Sequence, residues 1–209
     1  MKKQISQRLF DILLAVILLI VLLPILLIAL IISLWETKSF PIYSQLRGLT
    51  LDGKKFKIYK IRTVEKYPLG HETTDRKFLL SPGLAEKVPF LCRFLRLTGF
   101  DELPQLINVL KGEMSVIGPR PLDLFDLTYL KENYPELNNQ REKLKCKGGI
   151  LGLWQLFGNR ELGAEDLVRW DIHYDNNHGF AQDIKILFST LFYFLSVNKS
   201  KQDSIVKKN

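Results

Sequence analysis

ILLAVILLIVLLPILLIALIISLW, from Ile12 to Trp35, decides how the rest of the chain is read. In these 24 residues only Pro24 and Ser33 are not plainly apolar. A straight helix of this length measures roughly 36 Å, enough for a hydrocarbon core of about 30 Å. A secretory signal does not fit, because the apolar region is too long and the following SLWETKSF has no small-residue cleavage pattern. Two features complicate a simple span. Pro24 lacks an N–H and its ring disturbs the helix ladder in mid-run. Both flanks are also basic, with Lys2, Lys3 and Arg8 before the run and Lys38, Arg47, Lys54, Lys55 and Lys57 after it. Basic flanks favour the cytoplasm. If both obey that preference, the segment enters the membrane, bends near Pro24 and returns as a re-entrant hairpin; a proline-kinked span is the alternative, and these residues alone do not choose. Arg8 and Asp11, three apart, either pair at the helix start or stand as separate interfacial charges.

Outward from this run, 209 residues suit one compact domain plus an anchor. Charged residues make up 25% of the chain and hydrophobic ones 46%, the latter crowded at one end, which excludes both a disordered chain and an ordinary soluble protein. The net charge of +8 suits anionic partners such as lipid headgroups, nucleotides or nucleic acid. Cys92 and Cys146 have no metal-ligand spacing, so reduced thiols in the cytosol are expected. His173 and His178, five apart, assemble no metal site.

FPIYSQLRGLTLDGKKFKIYKIRTV alternates apolar and polar residues about Asp52-Gly53, the pattern of a β-hairpin. Glu65 to Lys77 reads as a polar loop. Helical periodicity returns from Val88 to Leu110, interrupted at TGFDELPQLINVLKG; Thr98 or Asp101 is expected to cap a helix that carries Leu103, Leu106, Ile107 and Leu110, has Pro104 in its first turn and ends at Gly112. Leu122 to Lys145 reads as an amphipathic helix and GGILGLWQLFGNR as extended, with another helix starting near Gly163. Ile184 to Val197 is too short to cross a membrane and either covers the core or lies at the interface. The tail with Lys199, Lys201, Lys207 and Lys208 reads as a solvated end near anionic lipid.

Asp101 and Glu102 are adjacent acids in a stretch supplied with Arg93, Arg96, Lys111 and Arg120. An acid pair at a helix start is commonly no more than a solvated complement to the helix dipole. Arg120, however, stands between Pro119 and Pro121, which restrict its backbone and could aim its guanidinium at phosphate; a rigid surface turn is the plain alternative. Lys60 and Arg62, two apart in KIYKIRT, share one side of an extended strand and either line a site or form a basic surface facing lipid.

The combination of FDILLAVILL, YSQLRGLTLDGKKFKIYKIRT, RFLRLTGFDELPQLINVLKGEMSVIGPRPL and DIKILFSTL, in this order, resembles the bacterial sugar transferase family of monotopic phosphoglycosyl transferases. The likeness runs from about Arg8 to Val197, and the DELPQL-to-GPRP block is its most specific part. It implies an α+β fold: an N-terminal re-entrant membrane helix broken at Pro24 (residues 1–38), a mainly helical catalytic domain with a short β-hairpin on the cytoplasmic side of the inner membrane (39–198) and a basic tail (199–209). It implies transfer of a sugar phosphate from a nucleotide diphosphosugar, such as a UDP-sugar, to polyprenyl (undecaprenyl) phosphate, as the first membrane step of capsule, O-antigen, exopolysaccharide or glycoprotein glycan synthesis. By the same resemblance Asp101 is the nucleophile that forms a covalent phosphosugar, Glu102 binds or orients metal, and Mg2+ bridges diphosphate oxygens and one of these two acids. Arg96 and Arg120 match phosphate-binding positions, with Lys60 and Arg62 as further substrate contacts. The expected partners are membrane lipid, the polyprenyl phosphate acceptor and the nucleotide sugar. A tethered adaptor for nucleic acid is disfavoured, because the basic segments carry few aromatics. Gly148 to Gly152, GGILG, depart from the family's usual Pro-Gly-Ile-Thr-Gly, and Gly158 to Arg160 from its Gly-Arg, which touches sugar or nucleotide contacts and leaves the acidic centre intact.

Overall fold

The computed structural model of the chain describes residues 2–65 and 87–190. All but the first residue of the expected loop at Glu65 to Lys77, the end of the apolar stretch that closes at Val197, and the basic tail lie outside the described residues.

The apolar run forms α1, Lys2–Thr37, one continuous element with Pro24 inside it. Pro24 therefore does not divide the run into two separate helices. Its amphipathicity is weak because it is apolar all round, as expected when one stripe meets protein and the rest meets lipid. Leu14, Leu18 and Leu19 pack on the main core, and Leu26, Leu30 and Ile32 on a smaller cluster formed by Ala29, Ile61 and Leu95. Ala15 and Ala29 are fully buried, small residues where the helix backbone comes closest to the domain. Leu13, Ile17, Ile20, Leu27 and Ile31 stand bare. Such a row of exposed aliphatics is unfavourable in water, and Ile5–Thr37 is long and apolar enough to cross a membrane, so α1 can anchor the chain in one.

Both ends of α1 are bonded to the same domain. Arg8 donates to the carbonyls of Val109 (2.5 Å) and Leu110 (2.7 Å), and Asp11 accepts the N–H of Val116 at 3.0 Å. Arg8 and Asp11 thus each dock the helix. At the far end Ser33 donates to the carbonyl of Arg62 at 2.6 Å. Glu36 accepts the N–H groups of Leu91 (3.2 Å) and Cys92 (2.8 Å), where a helix N-terminus favours an anion. Both ends of α1 are thus tethered to the same domain.

Next comes the expected hairpin of β1, Ile42–Gly48, and β2, Lys55–Ile61, in the register Gly48 opposite Lys55, so the connection is the longer loop 49–54, which contains Asp52-Gly53, and Gly53 is not left-handed. α2, Phe90–Thr98, ends at Gly99 with φ 72°, a left-handed residue suited to glycine. A 3-10 segment, Phe100–Gln105, precedes α3, Leu106–Lys111, which Gly112 ends at φ 80°. The carboxylates therefore sit on a tight 3-10 turn and not in the first turn of an α-helix. Neither Thr98 nor Asp101 caps it: Thr98 bonds back to the carbonyl of Phe94 (2.8 Å), and Gly99 occupies the cap.

β3, Ser115–Ile117, pairs in parallel with β5, Gly149–Leu151, while β4, Leu122–Asp123, joins the edge of β1 to give the order β2-β1-β4. The stretch read as one helix from Leu122 to Lys145 is two, α4 Leu124–Asn133 and α5 Pro135–Glu142. Pro135 forces Tyr134 out of helical geometry (φ −137°, ψ 61°), and Asp123 caps α4 by accepting the N–H of Asp126. GGILGLWQLFGNR is extended only at β5, because Leu153–Phe157 forms α6. α7, Gly163–Asn177, starts where expected. Residues 180–190 are helical; Ile186 is buried in the main core and Phe188 is exposed. Cys92 and Cys146 are free thiols.

Candidate active site

Four segments far apart in the chain meet at a cleft lined by Arg47, Lys60, Glu102, Gln105, Arg120 and the backbone of Gly149, with Ile58, Pro121 and Ile150 as its apolar walls. Strand alternation turns Ile58 and Lys60 of β2 inward. The 3-10 segment is set against them by Asn108, fully buried at the base of α3. Its amide donates to the carbonyl of Lys57 (2.7 Å) and to Glu113 (2.6 Å), and its oxygen accepts the N–H of Tyr59 (3.2 Å). With that register fixed, Lys60 Nζ lies 2.6 Å from Glu102 Oε1.

Adjacency of the two acids splits their titration. Burial alone would raise Glu102, yet the charges of Lys60 and Arg120 outweigh it and hold the carboxyl at about 2. Asp101 is pushed up to about 6, first by burial and then by the Glu102 charge, with Lys60 and Arg96 opposing. One carboxylate is thus permanently ionised, while its neighbour titrates near neutrality. Asp101 also feels Arg96 from the last turn of α2.

Arg120 reaches the cleft from a loop held rigidly from behind. Arg141 is completely buried; its guanidinium bonds Asp171 at 2.8 Å and donates to the carbonyls of Arg120 and Leu49. The Arg120 carbonyl is therefore fixed by one buried ion pair. On the other side Gly118 and Gly149 touch backbone to backbone: a Cβ on Gly149 would stand 2.1 Å from the Gly118 nitrogen, so no side chain fits there.

Of the residues named from sequence, Lys60, Glu102 and Arg120 line the cleft, and Asp101 and Arg96 stand beside it within charge reach of each other. Arg62 is not brought in. It follows the end of β2, donates to the carbonyl of Phe40 at 3.0 Å and lies 5.5 Å over the ring of Tyr43, a residue that itself feels the charge of Asp101. Sequence reading missed Arg47 as a site residue, and with it Gln105, Asn108, Arg141 and Asp171. Arg47 donates to the carbonyl of Pro121 at 2.9 Å. The period-2 row Tyr43, Gln45, Arg47, facing β2 across the hairpin, was the available signal.

Chemically the cleft offers cations for a diphosphate, one fixed anion and one titratable carboxylate. Among the described residues no group of three or more His, Cys, Asp or Glu could cage a metal. Mg2+ needs no such cage, since it commonly takes one or two carboxylates and fills its shell with substrate phosphates and water. Asp101 and Glu102 are the carboxylates that could supply such ligands.

Comparison with known proteins adds an independent finding. A family model described as bacterial sugar transferase matches residues 2–197. The uncharacterized sugar transferase EpsL of Bacillus subtilis is 35% identical over 189 residues, covering 90% of this chain and 86% of its own length. The exopolysaccharide production protein ExoY of Sinorhizobium fredii is 31% identical over 201 residues, covering 90% and 84%. The UDP-glucose:undecaprenyl-phosphate glucose-1-phosphate transferase of Klebsiella pneumoniae is 32% identical over 166 residues, 76% of this chain but only 33% of that longer protein.

Proposed function

Because the chain belongs to the bacterial sugar transferase family, we propose that it moves a sugar phosphate from a nucleotide diphosphosugar, a UDP-sugar, to a polyprenyl phosphate at the membrane. The observation that carries this reading is the placement of Asp101 next to Glu102, which Lys60 holds at 2.6 Å, at the edge of a cleft that Arg47 and Arg120 also line.

An Asp101 oxygen attacks the sugar-bearing phosphorus. The bond from that phosphorus to the bridging oxygen breaks, the nucleoside monophosphate leaves, and the sugar phosphate remains esterified to Asp101. An oxygen of polyprenyl phosphate then attacks the same phosphorus; the Asp101–phosphorus bond breaks, the carboxylate returns and the polyprenyl diphosphosugar departs. Arg120 and Lys60, with Arg96 and Arg47 nearby, hold the phosphates and offset the repulsion of anion attacking anion. Lys60 also fixes Glu102, which supports the arrangement without titrating. Mg2+, held by Glu102 and Asp101, would add charge neutralisation at the diphosphate.

Residues 1–38 then serve as the anchor, 39–198 as the catalytic domain and 199–209 as the tail, with the domain on the cytoplasmic side where the basic flanks prefer to be. The test is nucleoside monophosphate release from a panel of UDP-sugars, UDP-glucose first, with Mg2+ and undecaprenyl phosphate. Release by the native chain and near-complete loss in Asp101→Asn are expected; equal release by both refutes the assignment of the nucleophile.

A further inference from the structure

We propose that Gln105 recognises a hydroxyl group of the nucleotide-sugar donor, a role that rests on the transferase reading above. Gln105 closes the 3-10 segment three residues after Glu102. In a 3-10 turn, side chains three apart eclipse one another, so both look into the cleft from one face. Gln105 is only 4% exposed. Its carboxamide has no hydrogen-bond partner among the described residues and opens onto the cleft, where water or a ligand can bond it.

The surrounding chemistry defines what is missing. Lys60 is bonded to Glu102, and Arg47 donates to Gln45 and to the Pro121 carbonyl. Ile58, Pro121, Gly149 and Ile150 bring no polar side chain. Gln105 is thus the one uncharged polar side chain among the described lining residues. Phosphate oxygens accept only, and three cations already face them. A carboxamide both donates and accepts, and its oxygen in particular calls for a donor. A hydroxyl next to the diphosphate satisfies both halves and lies nearer the cations that hold the phosphates than the base does. Two places on a nucleotide sugar carry hydroxyls flanking the diphosphate, the transferred sugar and the nucleoside ribose.

The experiment uses the full chain in detergent with Mg2+ and undecaprenyl phosphate. It takes the best substrate among UDP-hexoses and UDP-N-acetylhexosamines, its monodeoxy-sugar analogues, and the matching 2′-deoxyribose and 3′-deoxyribose nucleotides. For the native chain, kcat/KM is expected to fall about 10-fold on removal of one hydroxyl, the size of one neutral hydrogen bond. In Gln105→Met, which keeps length without hydrogen bonding, that preference is expected to shrink to about twofold or less while the melting temperature is retained. A sugar analogue or a ribose analogue as the affected one tells which hydroxyl is read. Should Gln105→Met fail to accumulate, Gln105→Asn, one methylene shorter, must lose the same preference. Unchanged discrimination in a folded variant overturns the proposal while leaving the transferase reading intact. No nucleotide release by the native chain from any donor overturns that reading, and this inference with it.

Discussion

Asp101→Asn should make the protein more stable at neutral pH while abolishing transfer. Burial and Glu102 raise the Asp101 carboxyl from 3.8 to about 6. Between those values the folded state binds more protons than the unfolded one, so stability is full below about 3.8 and falls as pH rises through about 6. At about 1.4 kcal/mol per pH unit, the ionised carboxylate costs at most about 3 kcal/mol at pH 8 and roughly half of that at pH 5. Asp101 is partly exposed, and solvent screening reduces the gain at pH 8 to about 1–2 kcal/mol. A gain of that size raises the melting temperature by roughly 2–8 °C in a chain of this length. The assay is thermal unfolding in detergent with EDTA, native against Asp101→Asn, at pH 8 and pH 5. The variant should melt higher at pH 8, by a margin that narrows at pH 5. A variant that melts at or below the native chain at pH 8, or a margin that does not change with pH, refutes the electrostatic account of Asp101.

The acid limb of kcat/KM should follow the same group: activity rises as pH increases through about 6 at limiting Mg2+, and the limb moves to lower pH as Mg2+ is raised; an acid limb unmoved by Mg2+ in a pH–rate series argues against ion binding at Asp101. Breaking the buried Arg141–Asp171 pair from one side, with Arg141→Met, should cost about 3–5 kcal/mol, read by chemical denaturation. The double variant Arg141→Met, Asp171→Leu should recover much of that stability yet keep a raised donor KM, because the Arg120 backbone has lost its clamp; a normal KM in the folded double variant counts against this role. Removing the Glu36 cap with Glu36→Ala should cost about 1 kcal/mol and expose the Cys92 thiol to alkylation faster than in the native chain, as a timed labelling experiment would detect.

Much of the fold was legible because its signals are local. The hydropathy of Ile12 to Trp35, the strand alternation on either side of Asp52-Gly53 and the stop at Gly112 each depend on neighbours within a few residues. Pro135 carried the break between α4 and α5 just as plainly, but the amphipathic pattern around it was read through. The 3-10 turn under Asp101 was less accessible: Gly99 in a left-handed conformation, not a capping side chain, sets where α2 stops. In the site, the resemblance supplied Asp101, Glu102, Arg96 and Arg120, whereas spacing alone left each as an ordinary surface feature. Arg141 and Asp171 lie 30 residues apart on two polar-looking helices, and only the folded chain shows that their charges are buried around the Arg120 peptide. Asn108 and Gln105 were similarly silent, since a buried amide looks in sequence like any surface amide. Lys60 and Arg62 part company because the strand ends between them at Ile61.

The most direct measurement is intact-mass and peptide analysis of the native chain incubated with its best UDP-sugar and Mg2+ in the absence of acceptor. A sugar-phosphate adduct should appear on the peptide containing Asp101, vanish when polyprenyl phosphate is added and never form in Asp101→Asn. Turnover with no such adduct at any time, or an adduct that maps to another residue, contradicts the account.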